Sequence, residues 1–298
     1  MELDEYQKKA QLTDQFPDVN DDGASLTIPI LGIIGELGSL VTCFKKRIRD
    51  GESYEHFILD LREEIGDVLW YVANLASKWD LSLNEIAKEN LDKAEDRWVS
   101  SSKCREEYII YDQSFPAEEQ LPRKLLLRFE KNQNDEAASV YIVDSEGNEN
   151  KIGDTLTDNS YVDDLYRFHD VFHLSYAAIL GWSPVLRDLL NIKRKSSPQV
   201  DEVEDGARAR ITEEAISLYI FSYAKRHYML ENLREIDLDV LSTIRNLVSG
   251  FEVKDRTLYE WRLSILKGYE VYRKLNRYNG GYVKIDLLAR EISFLHKL

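Results

Sequence analysis

Apolar residues recur at helical spacing from about Ile28 to Arg49, at Leu31, Ile33, Ile34, Leu37, Leu40 and Val41. A second helix is expected from about Tyr54 to Trp79, with Ile65, Val68, Leu69 and Val72 in one stripe. A third is expected from about Leu83 to Ser100, and a short polar one around Glu5 to Leu12. Ser25 or Thr27 suits the N-cap of the first long helix, Pro29 its first turn, and Asp50-Gly51 its end. Ser82, with Glu85 three residues later, forms a capping box for the third. From Arg105 to Asn159 the period changes. Tyr108 to Tyr111, Lys124 to Phe129 and Ser139 to Val143 read as strands, with turn clusters at Asn132 to Glu136 and Glu146-Gly147-Asn148. Helices return at about Tyr161 to Gly181, Ala207 to Leu230, Asp239 to Ser249 and Thr257 to Arg277. Tyr282 to Asp286 reads as a last strand able to join the same sheet. The expected chain is mainly α in three parts. Residues 1–104 form a helical domain, 105–160 a small inserted antiparallel β element, and 161–298 a second helical domain.

The first part carries an unusual set of acids. On a helix, Glu64 and Asp67 leave the same face one turn apart, beside the apolar stripe. Glu36 sits on the largely apolar first long helix, between Gly35 and Gly38, which would let a neighbouring helix approach closely. Two antiparallel helices could point all three carboxylates at one place. Acids bordering a buried stripe need neutralising, and Mg²⁺, which takes carboxylate oxygens and keeps waters for a phosphate, is one solution. The plainer alternative is a solvated acidic edge. The third helix adds Asn90, Lys93 and Arg97 on one face, suited to a base or sugar and to phosphates.

The blocks Gly35-Glu36-x-Gly38, Glu64-x-x-Asp67-Val68-Leu69-Trp70-Tyr71, Leu81-Ser82-Leu83-x-Glu85-Ile86 and Asn90-x-x-Lys93 resemble the MazG-like, all-α nucleoside triphosphate pyrophosphohydrolases. The resemblance covers roughly residues 25–100 and implies a MazG-like helical bundle. It implies Mg²⁺-dependent hydrolysis of a ribo- or deoxyribonucleoside triphosphate to the monophosphate and pyrophosphate, with Mn²⁺ an alternative ion. Glu36, Glu64 and Asp67 would be the metal ligands, and Glu63 would orient the attacking water. Lys93 would contact phosphate, Asn90 the sugar or base, and Arg97 a phosphate. Trp70 could stack on the base or simply pack, and of Lys45-Lys46-Arg47 one, Lys46, is a phosphate candidate. The family usually has a second glutamate where this chain has Ser39, which can hold a water or a phosphate oxygen but brings no charge. A catalytically weak nucleotide sensor is therefore the competing reading. Such units generally need a partner, so a homodimer or higher oligomer is expected.

The second half has its own cluster. His169, Asp170 and His173 fall on one helix, the histidines at i and i+4, and Glu213-Glu214 opens the body of another. These donors suit Zn²⁺, Mn²⁺ or Fe²⁺ better than Mg²⁺, giving a third reading as a His/Asp metal hydrolase. A buried polar network is the alternative. Glu213-Glu214 followed by an apolar helix loosely echoes Glu63-Glu64, with Ser217 in place of Asp67, so a diverged repeat is expected. Arg187, Arg194, Arg208 and Arg210 could instead form a phosphate-facing surface.

The bulk properties narrow the field. The 298 residues are 43% hydrophobic and 31% charged, a globular composition. The net charge of −15 argues against nucleic-acid backbone as a partner. No apolar run is read as reaching a membrane-spanning length, and the acidic Met1 to Glu5 does not resemble a secretory signal. Cys43 and Cys104 read as reduced thiols, which with the missing signal gives a cytoplasmic expectation.

Overall fold

Four helices realise the apolar periodicity of the first hundred residues in the computed structural model, which describes residues 1–15, 24–98, 110–132, 137–158 and 160–297, and the backbone alone at 24 and 25. They are α1 (Leu3–Gln11), α2 (Ala24–Asp50), α3 (Phe57–Lys78) and α4 (Leu83–Trp98). The chain forms two units, Met1–Glu95 and Asp96–Leu298. In the first, α2 and α3 pair through a tight turn at Gly51, whose φ of +59° is a conformation glycine adopts without strain. A close approach falls at Gly32, where a Cβ would lie 2.2 Å from the Tyr71 ring. Gly35 and Gly38, expected to admit the neighbouring helix, have open space over them, as does Gly66.

Helix α1 locks the far end of α3. Ala10 is buried with Ala73, Ala76 and Leu83, and Trp70 packs against this cluster. Gln7 donates to Ser77 Oγ at 3.0 Å and accepts from the Leu83 amide at 2.9 Å. A buried ion pair joins Lys78 to Asp14 at 2.7 Å. The Glu85 amide donates to Ser82 Oγ at 3.1 Å, as the cap of α4 requires. Helix α2 begins at Ala24, so Ser25 and Thr27 lie inside it and Pro29 falls beyond its first turn. Leu26–Ser53 is long and apolar enough, by length and composition, to cross a membrane, a correction to the expected absence of such a run.

In the second unit an antiparallel sheet has the order β3-β2-β1-β4-β5. The strands are β1 (Lys124–Lys131), β2 (Ala138–Val143), β3 (Glu149–Leu156), β4 (Gly280–Asp286) and β5 (Glu291–Leu295). Alternation in β1 buries Leu125, Leu127 and Phe129, and Leu127 faces Val283 of β4 in register. The expected strand at Tyr108 to Tyr111 is a loop at Ile110 and a turn at Tyr111, and Tyr108, Ile109 and Cys104 lie outside the described residues.

The helices of this unit are α5 (Asp170–Leu180), α6 (Pro184–Leu189), α7 (Pro198–Val203), α8 (Ala207–Lys225), α9 (Leu238–Leu247) and α10 (Leu258–Tyr278). Almost every residue of α5 is buried, and α5 and α10 pack together over β4 and β5. Ser175 donates to the Ser264 carbonyl at 2.6 Å where Gly268 leaves room. Thr257 and Glu260 complete a capping box on α10.

Three expectations change here. The strands are the sheet of the second unit, because β1 pairs with β4 from the far end of the chain, rather than a separate insertion. The repeat is not seen either: it needs α5 to pair with α8 as α2 pairs with α3, and α5 instead lies along α10. Nor do Arg187, Arg194 and Arg210 join exposed Arg208 in a phosphate-facing surface. Arg187 is buried on Asp112 at 2.5 Å, Arg194 on Asp205 at 2.7 Å, and Arg210 is paired with Asp188. Such burial is tolerable only with partners of this kind.

Gly32→Ala is expected to destabilise the first unit by about 1–3 kcal/mol through overpacking against Tyr71, offset in part by the roughly 1 kcal/mol better helix propensity of alanine. Thermal unfolding of Gly32→Ala, Tyr71→Ala and the double variant checks it. The double loss should be smaller than the sum of the single losses.

Candidate functional site

Helical spacing puts Glu64 and Asp67 one turn apart on α3, and antiparallel pairing brings α2 past them. One carboxylate oxygen from each of Glu36, Glu64 and Asp67 lies within 4.8 Å of the others. Glu36 and Glu64 are half-buried and Asp67 is exposed. Burial, and then Glu36, Asp67, Glu63 and Asp60 in that order, push the Glu64 carboxyl above its ordinary 4.5. Asp60, one turn before Glu64, was not singled out from sequence. It accepts a short hydrogen bond from the Tyr54 hydroxyl and so raises the tyrosine as well. The i−4 spacing from Glu64 was the only signal for it.

The other candidates divide. Glu63 is exposed beside Glu64, and Ser39 is half-buried one turn beyond Glu36. Asn90 and Lys93 are exposed on α4. Arg97 lies over the Trp98 ring at 4.6 Å, and Lys46 over the Tyr54 ring at 5.7 Å. Arg47 is paired with Glu52 at 2.6 Å. Trp70 is turned to α1, its indole N–H donating to Thr13 Oγ at 2.8 Å, so packing accounts for it rather than a base.

The second cluster also assembles. Ligand atoms of His169, Asp170 and His173 lie within 4.8 Å of one another at the start of α5. They line a cavity of about 400 Å³ walled by Leu127, Phe129 and Val140 of the sheet, residues 153–157, and Leu186 and Leu189 of α6. Fully buried Glu213 sits behind His173, receiving its Nδ1–H at 2.8 Å, the Ser183 hydroxyl at 2.6 Å and the Val185 amide at 2.8 Å. Burial alone would depress the His173 imidazole, but Glu213 and then Glu214 hold it well above its usual value. The wall from Gly153 to Thr157 was missed, because β3 shows no apolar alternation.

Comparison with known proteins matches residues 29–99 to the family described as the MazG nucleotide pyrophosphohydrolase domain. Residues 106–297 match the one described as the MazG C-terminal domain. The gene 37 protein of Mycobacterium phage L5 is 36% identical over 101 residues, covering 33% of this chain and 89% of that protein. No solved structure matches.

The crowding at Glu64 has a consequence for pH. A carboxyl raised in the folded state stabilises below its unfolded value near 4.5, and that stability is lost as pH rises through the raised value. Without divalent ions, the first unit should therefore lose stability as pH climbs above 4.5, and Glu36→Gln should reduce the loss. Thermal melts across pH in chelator, with and without added Mg²⁺, measure it.

Proposed function

The chain belongs to the MazG family, and on that premise we propose that it hydrolyses nucleoside or deoxynucleoside triphosphates to the monophosphate and pyrophosphate, using Mg²⁺ held by Glu36, Glu64 and Asp67. The observation that carries this is the convergence of those three carboxylates within 4.8 Å. Hard oxygen donors at that separation suit Mg²⁺, or Mn²⁺, at metal–oxygen distances of about 2.1 Å. When bound, the ion neutralises the triphosphate and stabilises the leaving pyrophosphate. On this reading Glu63, exposed beside Glu64, accepts the proton of the attacking water. Asn90 and Lys93, exposed on α4, supply an amide for sugar or base and a cation for phosphate. Arg97 is the weaker phosphate contact, being drawn over Trp98.

A second copy of the chain completes the bundle. The face of α2 and α3 carries exposed Ile34 (62%), Val41 (57%) and Ile65 (52%), interleaved with the open Gly35, Gly38 and Gly66. Small and apolar residues together admit close helix contact, and so large an apolar patch on one unit calls for a cover. A second copy also explains why α2 is apolar without assigning it to a membrane. Buried Cys43 and a nucleotide substrate fit a cytoplasmic setting. Ser39 favours one other reading, a sensor that binds nucleotide with Mg²⁺ and releases no pyrophosphate.

A pyrophosphate-release screen over the common ribo- and deoxyribonucleotides, with Mg²⁺ or Mn²⁺, tests the assignment. Asp67→Asn should keep the helical circular dichroism and lower turnover by about a hundredfold or more, because a metal ligand supplies several kcal/mol of transition-state stabilisation. Wild-type turnover in that variant sinks the proposal.

Ile34→Glu or Ile65→Glu should convert the dimer to monomer in light scattering and remove activity with it. A variant that stays dimeric refutes the assigned face.

A further inference from the structure

The cavity of the second unit holds a donor set the pyrophosphohydrolase reading does not use. His169 donates Nδ1–H to the Tyr166 carbonyl at 2.9 Å and stacks on the Tyr166 ring at 4.2 Å. His173 donates Nδ1–H to Glu213 at 2.8 Å. Both rings are thus oriented from behind, as metal-bound imidazoles are, with Nε2 left as the coordinating atom. The Nε2 atom of His173 is buried and makes no hydrogen bond. His173 itself is 2% exposed and lines the cavity.

What faces these nitrogens is carboxylate. Asp170 Oδ1 stands 3.5 Å from His169 Nε2, and Glu214 Oε1 stands 3.5 Å from His173 Nε2. Two ligands about 2.1 Å from one ion at a tetrahedral angle lie about 3.4 Å apart. The separations are therefore those of atoms sharing an ion.

We propose that His169, Asp170 and His173, whose ligand atoms lie within 4.8 Å of one another, bind one divalent transition-metal ion of the zinc, manganese or iron(II) type at the mouth of this cavity, with Glu214 beside His173. Two imidazoles and a carboxylate are softer than the all-oxygen set on α2 and α3, so the site selects a borderline ion over Mg²⁺. The apolar wall of Leu127, Phe129 and Leu186 excludes water on one side and strengthens the binding.

The test uses the full chain, stripped with chelator, exposed in turn to Zn²⁺, Mn²⁺ and Fe²⁺ (the last without air), desalted and assayed for metal. About one equivalent should be retained by wild type and by a Glu36→Gln/Glu64→Gln/Asp67→Asn variant, and lost in His169→Ala/His173→Ala. Asp170→Asn and Glu214→Gln, at less buried positions, should each weaken binding by about tenfold or more. Co²⁺ added to stripped wild type should give visible d–d bands that Zn²⁺ abolishes. Retention in wild type no greater than in the double histidine variant, or no Co²⁺ bands in wild type, overturns the site and leaves His173 as an imidazolium between two glutamates.

Discussion

Mutual repulsion among Glu36, Glu64 and Asp67 is the constraint on which the first unit turns. Three anionic oxygens within 4.8 Å do not stay together unaided. The chain holds them by packing placed elsewhere. Gly32 seats the Tyr71 ring on one turn of the helix pair, and α1 clamps the end of α3 through Ala10, Gln7 and Asp14. The acids are thus preorganised by apolar contact and hydrogen bonds that contribute nothing to their charge. Preorganisation of this kind is what an electrostatic site requires.

The second unit treats charge in the opposite way. Asp112, Asp205 and Glu252 meet Arg187 and Arg194 in a buried network, and Leu121 donates its amide to Asp112 at 2.7 Å. Each buried ion there has partners enough to offset its desolvation. The fully buried acids Asp112, Asp205, Glu213 and Glu260 are met by donors, whereas the less buried Asp170 and Glu214 face histidine nitrogens. Glu213 shows the contrast most clearly, accepting three hydrogen bonds while its neighbour Glu214 is half-exposed at the cavity.

Much of this was legible in the residues. Period-3.6 spacing located α2, α3, α4 and α10, and i, i+3 spacing put Glu64 and Asp67 on one face, where the structure has them. The pairing of β1 with β4 spans the whole second unit, and no local pattern reports a contact of that range. Strand β3 was missed because its solvent-facing ENKIGDTL shows no alternation. Within one chain the glycine argument met a related limit. Sequence shows where a helix can be approached, and Gly32, Gly35 and Gly38 look alike until a ring from α3 occupies one of them. Sequence left Trp70 open between stacking and packing because Thr13, which receives its N–H, lies 57 residues away.

Ser39 bears on how the two donor sets divide their ions. A fourth carboxylate would raise the local negative charge at α2 and favour holding more than one cation. A hydroxyl instead leaves three anionic oxygens, enough to balance one divalent ion and to leave coordination positions to water and phosphate. On the proposed assignment the site would depend on an abundant hard ion rather than on high affinity. Nitrogen donors at His169 and His173 change the order of preference, since imidazole binds borderline ions more tightly than oxygen does. With both proposed sites, cations would be sorted by ligand softness, a scarce transition ion drawn to the imidazoles and the carboxylate trio left to the abundant one.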